Sequence, residues 1–90
     1  MMDLIKKAKW DFCRSGIFIH IRTDEAARLL DQITKIMPRG VKAERIPATN
    51  YINPEEGEGV DITANYKTKA GKWIESFAEQ IKANKIPYED

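Results

Sequence analysis

One cysteine, one histidine, no long apolar run and a net charge of only +1 mark what this 90-residue chain lacks. Cys13 alone excludes an intrachain disulfide, so the fold must rest on packing, and a reducing cytoplasm is the expected compartment. One His and one Cys do not close a zinc site, and Glu55, Glu56 and Glu58 lack the spacing of a calcium loop. No metal and no cofactor are expected. The longest apolar run, Ile17–Ile19, stops at His20, far short of the roughly 20 residues that span a bilayer. Lys6, Lys7 and Lys9 also fall where the apolar core of a secretion signal would lie, so no membrane association is expected and the chain reads as cytosolic from Met1. Fifteen Lys and Arg against fourteen Asp and Glu leave none of the positive excess that binds nucleic-acid phosphates.

What is present is the profile of a folded protein, 42% hydrophobic and 32% charged, at a length suited to one core and one domain spanning residues 1–90. A domain of this size buries about 60–65% of its unfolded surface, so self-association is an expected route to added stability. Charge is unevenly distributed. Residues 1–22 carry five basic and two acidic side chains, whereas residues 47–66 carry four acidic and no basic ones.

Two stretches repeat one plan. Ile17, Ile19 and Ile21 alternate as a strand, pass through Thr23, and give way to a helical stripe of Ala26, Leu29, Leu30, Ile33, Ile36 and Met37. Val60, Ile62, Ala64 and Tyr66 alternate in the same way, pass through Thr68, and lead to Ala70, Trp73, Ile74, Phe77 and Ile81. Each Thr is placed to cap its helix, and Asp24–Arg28 and Asp31–Lys35 are spaced as i,i+4 ion pairs. Pro38 and Gly40 close the first helix, and Val41–Ile46 reads as a short strand. Residues 1–15 are expected to pack on the sheet, either as a helix capped by Asp3 with Leu4, Ile5, Ala8 and Phe12 on one face, or as a strand extension. In that position they would cover Phe18. Ile86-Pro87-Tyr88 suits a terminal edge strand. The order predicts an α+β fold that resembles the ferredoxin-like split β-α-β-β-α(-β) plan, a two-layer sandwich with an added N-terminal segment.

Residues 47–59, Pro-Ala-Thr-Asn-Tyr-Ile-Asn-Pro-Glu-Glu-Gly-Glu-Gly, form a long acidic connection, longer than a tight turn requires. Its Gly57-Glu58-Gly59 precedes a strand, the reverse of the phosphate-binding order, and reads as turn chemistry. Catalytic signals are sparse. Cys13 and His20 would need a turn at Ser15-Gly16 to meet, and no carboxylate stands near His20 in sequence.

The expectation is therefore a non-enzymatic interaction or accessory module that binds a protein partner, or itself, through its sheet face or the 47–59 loop. Phe18, His20, Arg22, Asn50 and Tyr51 are its candidate contact residues. One alternative is a nucleic-acid-binding regulator using Lys6, Lys7, Lys9 and Arg14. Another is a ligand-binding domain or small enzyme with a pocket near His20. The outward positions Phe18, His20 and Arg22 on one strand against Asp61, Thr63 and Asn65 on the other leave too few aromatics for an RNA-stacking surface.

Overall fold

The computed structural model describes residues 1–84. Helix α1 (Met2–Lys6) is followed by β1 (Lys9–Cys13), β2 (Phe18–Thr23), α2 (Ala26–Ile36), β3 (Lys42–Ile46), β4 (Glu58–Thr63) and α3 (Lys69–Asn84). The four strands form one antiparallel sheet in the order β1-β2-β4-β3. Thus β4 inserts between β2 and β3, which are joined through α2, giving an α+β fold with one antiparallel sheet.

The alternating residues decide the faces. Ile17, Ile19, Ile21, Val60 and Ile62 are completely buried, and they meet Leu29, Ile33, Ile74 and Ile81 from the helices. Helix α2 packs on β3 and β4, and α3 on β2 and β4. Ile17 enters β2 with φ of +46°, a conformation a β-branched residue avoids. Burying an isoleucine gains about 1.5–3 kcal/mol, which outweighs the roughly 1–2 kcal/mol of left-handed strain.

The N-terminal segment combines the two alternatives read from the sequence, a helix over Met2–Lys6 and a strand extension over Lys9–Cys13. Leu4, Ile5 and Ala8 are buried, but α1 packs with α3 and touches β2, and Phe12 belongs to β1. Trp10 and Phe12 half-bury toward the helices, so residues 9–13 extend the sheet at its edge instead of lying across the face that carries Phe18. The reason is a tight reversal at Arg14–Ile17, closed by the Ile17 N–H donating to the Arg14 carbonyl at 3.3 Å.

Smaller corrections follow from local chemistry. Strand β4 ends at Thr63, so Tyr66 is 58% exposed instead of on the core face, and Lys67 turns the chain with φ of +64°. Thr68 then caps α3 as expected, accepting the Gly71 N–H at 3.1 Å. Thr23 accepts from Glu25 two residues on at 3.1 Å, which shapes the turn before α2 without capping the helix itself. Arg28 pairs with Glu25 instead of Asp24, while Asp31–Lys35 forms as expected. The 47–59 connection contains two single 3₁₀ turns, Ala48–Asn50 and Pro54–Glu56. The expected terminal strand at 86–88 lies outside the described residues. Replacing Thr68→Ala should lower stability to urea by about 1 kcal/mol while Thr68→Ser retains it; equal loss in both would show that the hydroxyl does not cap α3.

Candidate functional site

The outward side chains of β2 gather the polar chemistry of the molecule. In the sheet register His20 stands opposite Asp11 on β1 and Asp61 on β4. Its Nδ1 lies 2.5 Å from Asp61 Oδ1, with the two side chains only 21% and 20% exposed. A carboxylate can only accept, so Nδ1–H donates to Asp61, and Nε2 lies 3.4 Å from the Tyr51 hydroxyl. Phe18 stacks beside the imidazole at 6.2 Å and 9°, and the Tyr51 ring tilts over it at 5.6 Å and 48°. Burial and the nearby Asp61 charge push the Tyr51 phenol above its ordinary value, partly opposed by Arg22.

Arg22 is the second hub and is only 8% exposed. Its Nε and Nη2 donate to the Gly57 carbonyl at 3.1 and 2.7 Å, Nη2 donates to the Asn53 carbonyl at 3.0 Å, and Nη1 reaches Asn53 Oδ1 at 3.4 Å. The guanidinium also lies 3.6 Å from the Tyr51 ring centroid and 3.7 Å from Glu56. One planar cation thereby holds four residues of the 47–59 loop, Tyr51, Asn53, Glu56 and Gly57, to the sheet. Lys9, opposite Arg22 on β1, bonds Glu56 as well, and the Asn53 amide donates to the same carboxylate. The Lys9 hydrogen bond, with Lys9 and Arg22 charge behind it, holds the Glu56 carboxyl below its ordinary range. The basic first strand pair and the acidic loop, separate in sequence, are partners in space.

Two glycines make this approach possible. Gly57 has φ of +97°, and a Cβ there would press within 3.0 Å of the Thr23–Asp24 backbone. A Cβ at Gly59 would coincide with the Tyr51 hydroxyl. The Gly57-Glu58-Gly59 segment is therefore the landing place of the loop as well as a turn.

Phe18, His20, Arg22 and Tyr51 come together as one cluster, with Tyr51 turned inward and half-buried; Asn50 stays exposed on the loop. The missing carboxylate beside His20 is Asp61, forty-one residues on in sequence and directly opposite in the sheet. The β1–β2 reversal does bring Cys13 and His20 to one face, Cys13 opposite Phe18, but the imidazole Nδ1 is already bonded to Asp61. Cys13 is exposed, and its Ser15 contact at 3.3 Å lowers the thiol below its ordinary value. Of the basic candidates, Lys9 is committed to Glu56, and Arg14 lies 3.8 Å from Glu79 and over the Phe12 ring; Lys6 and Lys7 are exposed.

Comparison with protein-family models, curated proteins and solved structures finds no match. Among the described residues no three His, Cys, Asp or Glu side chains are grouped to hold a metal, and no helix is long and apolar enough to cross a membrane.

The residue that sequence reading passed over is Ile52. It is fully exposed, between the inward Tyr51 and the fastened Asn53. Its only signal was an isoleucine inside a run of turn residues.

Lysine is a point charge and does not satisfy two carbonyls at once as the guanidinium fork does. Arg22→Lys should therefore speed amide exchange at Glu56 and Gly57, whose N–H groups close the second 3₁₀ turn, by about tenfold or more, with Ile19 and Ile62 unchanged. Wild-type exchange at those two amides would remove Arg22 as the fastener.

Proposed function

We propose that the protein is a non-enzymatic interaction module whose recognition element is the 47–59 loop, with Ile52 as the apolar anchor. The observation that carries this reading is the contrast at the loop's centre: Tyr51 and Asn53 are held to the sheet while Ile52 between them projects fully into solvent. A fastened loop loses little conformational freedom on binding, so an exposed aliphatic side chain on it contributes more to affinity than one on a loose segment. Asn50 and Glu55, both exposed, flank the anchor and supply the polar rim. The sheet-face residues Phe18, His20, Arg22 and Tyr51 serve as the platform below the loop in this reading, and are not themselves the contact surface.

An enzymatic reading has a cavity of about 260 Å³ beside His20, lined by Lys9, Trp10, Asp11, Arg22 and Tyr51, but finds less support because Lys9, Arg22 and Tyr51 are spent on contacts that hold the 47–59 loop. The nucleic-acid reading is weakened because Lys9 and Arg14 each face a carboxylate of the same chain. We also read the fold as a variant of the ferredoxin-like split plan in which β1, arriving from the N-terminal side, occupies the sheet edge beside β2.

The test uses cross-linking from a native lysate with wild-type protein and the Ile52→Asp variant, after confirming that both have the same melting temperature. A protein captured by wild type should be lost, or fall by at least about tenfold in affinity, with Ile52→Asp. Capture that is identical for both variants would contradict the loop as the recognition element.

A further inference from the structure

Among the described residues the sheet has two free edges, β1 and β3. The hydrogen-bond phase can be followed across the sheet from one bond. The Ala64 N–H donates to the Ile17 carbonyl at 3.2 Å, so bonded pairs between β2 and β4 recur at every second residue, Ile19 with Ile62 and Ile21 with Val60. On β4 the intervening Gly59, Asp61 and Thr63 must then turn their backbone groups toward β3, where they stand opposite Ile46, Glu44 and Lys42. The backbone groups of Ala43 and Arg45 are left facing outward from the edge.

Only registers that place outward-facing residues opposite one another can form a second ladder. Three symmetric antiparallel choices centre on the inner residues of the strand, Ala43, Glu44 and Arg45. Centring on Glu44 sets two glutamates face to face and centring on Arg45 two arginines, both unfavourable. Centring on Ala43 pairs Ala43 with its own copy and sets Lys42 opposite Glu44 of the second copy, twice. These charge pairs fall at non-hydrogen-bonded positions, where cross-strand side chains approach most closely. Among the described residues neither Lys42 nor Glu44 has an ion partner within the chain, in contrast to Arg45, which is bonded to Glu58. The other free edge, β1, alternates Lys9 and Asp11 in a similar way, but Lys9 is already held by Glu56.

Apolar surface accompanies this edge. Helix α2, which packs on β3, ends in Ile36, 49% exposed, and beside it lies a groove of about 560 Å³ in which the apolar Phe18, Met37, Val41 and Ala43 alternate with Lys42, Glu44 and Asp61.

We propose that the occupant of the β3 edge is a second copy of this chain, forming a two-fold dimer with one continuous eight-stranded sheet, Ala43 on the axis and reciprocal Lys42–Glu44 pairs. The axis lies three residues from the end of β3, so the two 47–59 loops emerge on opposite sides of it, each about 10 Å away along the strand. The dimer presents two loops, and its existence does not depend on what those loops bind.

Sedimentation at micromolar to millimolar concentration reads the outcome, with circular dichroism to verify folding. Wild type should sediment at twice the chain mass. Lys42→Glu should weaken the dimer by at least about tenfold, and the double reversal Lys42→Glu with Glu44→Lys should restore it. Ala43→Pro should also give a folded monomer, because it removes an outward N–H and spares the β3–β4 ladder. A wild-type monomer throughout the range would overturn the proposal, as would a dimer indifferent to Lys42→Glu and Ala43→Pro. Ile52→Asp should leave the dimer intact, which separates this surface from the loop.

Discussion

A guanidinium buried at the end of β2 is the constraint on which the upper part of this molecule depends. Arg22 cannot shed its charge, and at 8% exposure it cannot draw its hydrogen bonds from bulk water. It finds them in the Gly57 and Asn53 carbonyls and in the Asn53 side chain, with Glu56 close by for charge. While the loop covers the sheet it must supply these acceptors itself, because the burial it imposes on Arg22 shuts out the water that would otherwise serve. Each group left unsatisfied costs about 1–3 kcal/mol, a large share of what a small domain has to spare.

The other features of the face follow from that closure. Tyr51 is drawn under the loop onto Arg22 and His20, which requires Gly59 beneath it. His20 is then enclosed by Phe18, Tyr51 and Asp61. Polar networks of this kind fix geometry when every member is satisfied. In the function proposed above the ordered loop presents Ile52, and the side chains below it hold it there.

The two strand–Thr–helix units were legible because their periodicity is a direct record of burial. Ile17, Ile19 and Ile21, with Val60 and Ile62, are all fully buried, and Thr68 caps α3. The reading failed where long-range pairing overrides local pattern. Leu4, Ile5, Ala8 and Phe12 share a helical spacing, yet the reversal at Arg14–Ile17 gives Phe12 a better place in an edge strand. Tyr66 continues the alternation of β4 but falls beyond its last paired residue, Thr63. Asp61 was already assigned to the outward face; only the register with β2, unknowable from spacing alone, brings it to His20. Arg22 looked like a surface cation because nothing local announces that a loop thirty residues on will bury it.

The most direct measurement is the Arg22 Nε–H resonance in a proton–nitrogen NMR spectrum at neutral pH, assigned by its loss in Arg22→Lys. Bonded to the Gly57 carbonyl and shielded from water, this proton should exchange slowly and give a sharp, dispersed signal with a through-space contact to the Tyr51 ring protons. A rapidly exchanging signal at the position of solvent-exposed arginines, with no contact to Tyr51, would contradict the account.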